Sequence, residues 1–262
     1  MELGPLATSR GVRFLALDEI DSTNDEAARL IRQGEGGPLW ITARRQSKGR
    51  GRLGREWISA EGNLAASFIL SGFAAQRLAP QLGFVAGVAA VDALRDLTSA
   101  GDRLTLKWPN DILLDGGKLS GLLLECTAIP TGDPREPTAP VATIGIGINC
   151  ASAPRDLPYE TAALADLGPA APGAAEVFAA LSDRLVEALD LWAGGAGFPT
   201  IRRLWLDRAA GLGRKIGIVL AQERIEGVFQ TIDDQGRLVV QAEDGERVVE
   251  AGDVTIARAG AP

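Results

Sequence analysis

The stretch "KWPNDILLDGGKLSGLLLEC", residues 107–126, sets the reading of this chain. Two apolar runs flank Asp115-Gly116-Gly117. That combination predicts an antiparallel hairpin, because Asp and Gly accept the backbone angles of a tight turn. Just upstream, "RLTLKW" (103–108) predicts a strand that ends at Pro109, since proline cannot donate to a sheet ladder. The strand end delivers Asn110 and Asp111. Hard cations take oxygen ligands, so Asp111 suits Mg²⁺; an Asx-type turn closing the strand explains it equally well. Lys118 opens an otherwise apolar strand and is read in two ways: it snorkels at an edge, or it holds an anion in a pocket. A side-chain period of two puts Lys118, Ser120 and Leu122 on one face and Leu119, Gly121 and Leu123 on the other. Glu125 closes the same strand and suits a partner role for a basic group.

Outward from the hairpin, residues 12–17, 39–46, 63–70 and 141–149 predict further strands. "DSTNDEAARLIRQG" (21–34) predicts a helix, with Ser22 and Asp25 spaced as a capping box and Gly34 as the stop. Residues 80–97 are apolar on most sides and rich in Ala and Gly, the pattern of a buried, closely packed helix. Val177, Leu181, Leu185, Leu189 and Trp192 mark an amphipathic helix over 174–192, and 199–209 a shorter one. Residues 1–11 read as a loose arm and 130–140 as a proline-rich surface loop. After Gly211 come short β runs separated by turns such as Asp233-Asp234-Gln235-Gly236, which suit a small β-barrel. The expected fold is α+β: a mixed-sheet domain over 1–210 and a small all-β domain over 211–262.

With 46% hydrophobic residues in 262, the chain can bury a sizeable core. No transmembrane span and no signal peptide are expected, and with two cysteines, Cys126 and Cys150, no disulfide framework. A cytoplasmic location follows as the expectation. The chain has no histidine, so Ser-His-Asp and Cys-His catalysis are excluded. Chemistry must rest on carboxylates, lysine, arginine, backbone amides or a hard cation.

Against a net charge of −7, "RQSKGRGRLGREW" (45–57) gathers Arg45, Lys48, Arg50, Arg52 and Arg55 around Gly49, Gly51 and Gly54. Glycines let a backbone turn tightly and present N–H groups to an anion, and arginines add bidentate donors. A phosphate cradle, a nucleic-acid tract and a solvated loop all fit; the acidic remainder of the chain counts against a polyanion. In "GIGIN" (145–149), two glycines weaken a strand unless something approaches its backbone closely. Asn149 then stands at the strand end.

Taken together, "STN" (22–24), "QSKGRGRLGREW" (46–57), "KWPNDILL" (107–114), "KLSGLLLE" (118–125) and "GIGIN" resemble the biotin protein ligases over about residues 12–258. The resemblance implies a catalytic domain of the biotin/lipoate ligase type and a C-terminal SH3-like β-barrel. It implies an enzyme that makes biotinyl-5′-adenylate from biotin and ATP with Mg²⁺, then passes biotin to one lysine of a biotin carboxyl carrier domain. Carried over by motif, Ser22, Thr23, Asn24, Gln46, Gly49, Arg50, Trp57, Lys118 and Gly121 would bind biotin. Arg52, Arg55, Asn110, Asp111, Lys118 and Asn149 would serve ATP, with Asp111 on the Mg²⁺ side. Lys118, Arg52 and Asp111 would carry the catalysis. The 46–56 loop is expected to order over the ligand.

Ile58 stands where an aromatic residue is sometimes found, which leaves adenine stacking unassigned, and Ala60 replaces a usual proline. Some members repress transcription through an N-terminal helix-turn-helix domain; with about eleven residues before the first strand, no operator binding is expected here. A homodimer is compatible with the family. The rival readings are a lipoate or octanoate ligase or transferase of the same fold, against which the glycine-arginine loop and the C-terminal β-domain speak, and a nucleic-acid-binding module.

Overall fold

The structure is a computed structural model that describes residues 1–73, 75–133, 135–220 and 223–256. Seven strands form one mixed sheet: β1 (Arg13–Ile20), β2 (Leu39–Gln46), β3 (Leu64–Leu70), β4 (Leu104–Lys107), β5 (Asp111–Leu114), β6 (Gly117–Asp133) and β7 (Glu136–Ile148). Their order is β1-β2-β3-β7-β6-β5-β4. Only the β1–β2 pair is parallel, joined through helix α2 (Thr23–Arg32); every other pair in this sheet is antiparallel.

Helices α3 (Ala79–Leu97), α4 (Ala174–Trp192) and α5 (Phe198–Leu206) cover one face of the sheet. The alternation along β7 shows how the sequence divides the two faces. Ile144, Ile146 and Ile148 enter the core beneath the helices, while Gly145 and Gly147 face the opposite way. Small residues let α3 approach closely: a Cβ on Gly87 would sit 3.1 Å from Leu106. Helix α3 with the turn before it (Gln76–Leu97) is long and apolar enough, by length and composition alone, to cross a membrane. Here it is the central core helix, buried against α4, α5 and the sheet.

Strands β8 (Lys215–Val219), β9 (Arg224–Ile232), β10 (Leu238–Ala242), β11 (Gly245–Val249) and β12 (Asp253–Ile256) make the expected small antiparallel sheet, SH3-like in its meander of short strands. Its β9–β10 turn is plugged into the larger unit: the Trp108 indole N–H donates to the Gly236 carbonyl at 3.1 Å. The linker before β8 also pairs with β4, through Leu106 N–H to Arg208 O and Ala210 N–H to Leu106 O.

Four local expectations are corrected. The N-terminal arm is not loose: Pro5–Ser9 form a short helix, α1, docked on α4 by the Gly4 N–H to Ser182 Oγ and the Ala7 N–H to Asp183. Residues 130–133 and 136–140, from the stretch read as an irregular loop, continue the β6–β7 hairpin. Ser22 is the N-cap of α2 but makes no side-chain cap bond, and no capping box closes: Asp25 pairs with Arg50, and the Ser22 N–H donates to Asp21 instead. A register shift in the β5–β6 pair, where Ile112 faces Ser120 and Leu113 faces Lys118, breaks the period of two. A bulge of this kind re-aims side chains, and Lys118 lies on the same side as Gly121.

Candidate active site

The face of the sheet opposite α3–α5, which α2 covers in part through Ala27 and Ile31, has a floor made by small residues in register. Ala65 pairs with Gly147, Gly147 with Gly121, and Gly121 with Asp111. One step along, Ser67 pairs with Gly145 and Gly145 with Leu123. The glycines of "GIGIN" are explained by what lies on them. A Cβ on Gly147 would stand 2.4 Å from the Trp57 indole, and one on Gly145 would stand 2.3 Å from Asn24 Oδ1. Above this floor is a cavity of about 890 Å³. It is walled by the start of α2, the 46–58 loop, the Lys107–Asp111 turn, residues 154–161 and β12.

One end of the cavity is neutral and polar. Gln46 Oε1 accepts from the Thr23 N–H at 2.8 Å and from its hydroxyl at 3.0 Å, while Gln46 Nε2 donates to Ser59 Oγ at 2.8 Å. Buried Ser67 lies 2.8 Å from Thr23 Oγ1 and 2.6 Å from Asn24 Oδ1. These groups hold one another in fixed rotamers, with a charge touching only Asn24, whose Nδ2 also donates to Glu125 at 2.8 Å. Ser22 lines the same wall.

The other end is charged. Lys118 Nζ is 2.7 Å from Asp111 Oδ1, and Lys107 Nζ is 3.9 Å from Oδ2. Burial lowers the Lys107 pKa, an effect opposed by Asp111. Arg52 donates to Asn110 Oδ1 at 3.1 Å, and burial lowers its pKa too. Asn110 in turn donates to the Leu122 carbonyl at 2.7 Å, which locks the turn after Pro109. Lys118 Nζ lies 5.8 Å from the ring centroids of Trp57 and Tyr159. Its backbone is clamped by residues 160–162, with its N–H on Glu160 O and its carbonyl accepting from Ala162 N–H.

The 46–57 loop folds as a miniature hairpin. Gly51 N–H donates to Arg55 O and Trp57 N–H to Gly49 O. Gly49 is required there, because a Cβ would lie 2.3 Å from the Trp57 carbonyl. Leu53 at the tip takes φ 56° and is exposed. Arg50 pairs with Asp25 and Glu125, and Arg55 with Asp253 of β12, whose carboxyl is thereby held below its usual range.

The fold thus brings Ser22, Thr23, Asn24, Gln46, Arg50, Arg52, Arg55, Trp57, Asn110, Asp111, Lys118, Gly121 and Asn149 to one cavity. Gly49 acts behind the wall, by letting Trp57 close. Asn149 is buried, and its amide donates to Ala162 O at 3.1 Å, fixing the 160–164 segment, while its Oδ1 has no partner. Sequence reading missed Lys107, Ser59, Ser67, Tyr159 and Asp253 as wall or supporting residues. Lys107 stood inside a quoted motif, and its charge beside Trp108 was the available signal. Asp253 had none, since its partner Arg55 is 198 residues away. The two cysteines lie elsewhere, and burial pushes the Cys150 thiol up to about 12.

Comparison with known proteins identifies the family. Residues 17–149 match the biotin/lipoate A/B protein ligase family, and residues 211–256 match the biotin protein ligase C terminal domain. The chain is 36% identical over 253 residues to the biotin–[acetyl-CoA-carboxylase] ligase of Paracoccus denitrificans, covering 91% of this chain and 98% of that protein. It is 32% identical over 241 residues to the bifunctional ligase/repressor BirA of Escherichia coli, covering 90% of this chain and 71% of that one. Among solved structures, a biotin protein ligase from Aquifex aeolicus in complex with biotin and ATP superposes with a TM-score of 0.76 at 27% identity, covering 94% of this chain and 99% of that one.

Proposed function

The chain belongs to the biotin protein ligase family, and from that premise we propose how its cavity does the work. The activity is ATP-dependent ligation of biotin to protein. The observation that carries the assignment of residues is the division of a single cavity into a neutral polar end and a cationic end. Biotin's fused ureido ring would meet Thr23, Gln46 and Ser22. Its apolar body would lie along Trp57 and the Gly121 and Gly147 floor. Its carboxylate would reach Lys118.

At the cationic end, Arg52, Lys107 and Lys118 would receive the ATP phosphates, with Arg55 at the rim. The carboxylate oxygen bonds to the α-phosphorus, and the bond to the bridging oxygen breaks, releasing pyrophosphate. Two anions must meet, and charge spreads over non-bridging oxygens; fixed cations in a partly desolvated cleft stabilise that state. Asn110 holds Arg52, and Asp111 holds Lys118. In the second step the carrier lysine attacks the mixed-anhydride carbonyl, forms an amide, loses a proton and expels AMP. Both oxygens of Asp111 face ammonium groups, so we assign it to positioning Lys118 rather than to taking that proton.

Mg²⁺ would enter with the ATP phosphates. Among the described residues no three metal-ligating side chains cluster. Asp111, engaged by two lysines, is the carboxylate at the phosphate end of the cavity that could share in holding the ion, and no step above depends on it. The acceptor we propose is the biotin carboxyl carrier domain of a biotin-dependent carboxylase. The loop over 46–56 would shield the adenylate from water. The test is the mass of a purified carrier domain after incubation with the protein, ATP, Mg²⁺ and either biotin or lipoate. One biotinyl group on one lysine, dependent on ATP, is the expected result; lipoyl addition in its place would overturn the reading.

A further inference from the structure

We propose that Glu125 is the positioning residue that fastens the 46–57 loop over the biotin end of the cavity and so governs how long the adenylate is retained; this rests on the ligase reading above. Glu125 sits on β6 beyond the floor residues and meets two parts of the site at once. Arg50 Nη1 and Nη2, from the loop, each reach its carboxylate at 3.1 Å. Asn24 Nδ2, from the first turn of α2, donates to its Oε2 at 2.8 Å. Asp25 takes the same guanidinium at 2.7 Å.

This arrangement has two physical consequences. With the loop lifted, Glu125 and Asp25 lose the cation they share, so like charges are left facing each other and the closed loop is favoured. Glu125 also fixes the orientation of the Asn24 amide, with Oδ1 toward Ser67 and Nδ2 toward β6. Contacts then run from Arg50 in the middle of the loop through Glu125, Asn24, Ser67 and Thr23 to Gln46 at the loop's root. They continue to Ser59 just past its end. An ordinary surface ion pair predicts none of this coupling. Arg50 and Glu125 are 38% and 37% exposed, and pairs so exposed add little to stability.

The experiment compares Glu125→Gln with wild type. Glutamine keeps an acceptor for Asn24 and removes the charge that holds Arg50. Biotinyl-5′-AMP is formed in a single turnover without carrier, and its escape from the protein is followed by chase. Wild type must first make the adenylate, which answers the question of activity separately from that of the latch. In wild type, escape should quicken with added salt, because an exposed ion pair is screened. In Glu125→Gln, escape should be about 2- to 5-fold faster at low salt, with a weaker salt dependence. The single-turnover rate of pyrophosphate release should change less than twofold, and thermal stability should stay close to wild type. Escape at the wild-type rate with the wild-type salt dependence would overturn the proposal, as would a fall in pyrophosphate release as large as the gain in escape. Glu125→Ala, which also frees Asn24, should escape faster still.

Discussion

The two ends of the cavity are built on opposite plans. At the α2 end, Thr23, Gln46, Ser59 and Ser67 satisfy one another through neutral hydrogen bonds, so the wall is preorganised and carries no net charge. At the Lys107–Asp111 end, cations are parked on protein oxygens, Lys118 on Asp111, Arg52 on Asn110 and Arg55 on Asp253. A phosphate can replace those oxygens at modest cost, because the cation exchanges one acceptor for another and is never left bare. The contrast teaches that recognition of a neutral head needs rigidity, whereas handling of a polyanion needs cations that are held and yet exchangeable.

The largest expected effect comes from the residue that stands between the two plans. Lys118→Ala should lose about 2–4 kcal/mol of transition-state stabilisation, or about 30- to 1000-fold in single-turnover pyrophosphate release. A loss under threefold would take Lys118 out of the chemistry. Next comes the floor. Gly147→Ala drives a methyl into the Trp57 indole, an overpacking of about 1–3 kcal/mol. Calorimetry should show biotin binding about 5- to 150-fold weaker, with binding of an ATP analogue little changed. Equal loss for both ligands would mean that Trp57 does not belong to the biotin half.

The smallest effect is a proton. Burial lowers the Lys107 pKa, and a phosphate beside it would favour the charged form, raising that pKa in the complex. Between the two values the complex holds more protons than the free protein. Nucleotide binding should therefore take up a fraction of a proton, and affinity should fall as pH rises through the Lys107 titration. Calorimetry in buffers of differing ionisation heat measures this; Lys107→Met should abolish the uptake, and proton release would contradict the sign.

Much of this was legible in the sequence because it is local. The turn at Asp115 and Gly116, with φ 50° and 84°, is written in residue types that accept those angles. The helix over 174–192 follows from its apolar spacing. The glycines of "GIGIN" announced a close approach, although not that Asn24 and Trp57 would be the groups approaching. What escaped is non-local or hangs on one residue of register. Lys118 faces Gly121 because of a bulge that a period of two cannot foresee. Ser22 and Asp25 had the spacing of a capping box, but Asp25 pairs with Arg50 from another element. The role of Asp253 exists only once β12 is laid against the loop.

The most direct test of the two-ended cavity is a crossed binding experiment. Thr23→Val and Arg52→Ala are each titrated with biotin and, at saturating biotin, with a non-hydrolysable ATP analogue. Thr23→Val removes the hydroxyl that bonds Gln46, which should weaken biotin about tenfold and leave the nucleotide within twofold. Arg52→Ala should weaken the nucleotide about tenfold and leave biotin within twofold. If either variant weakens both ligands equally, the division of the cavity into a neutral and a cationic half is wrong.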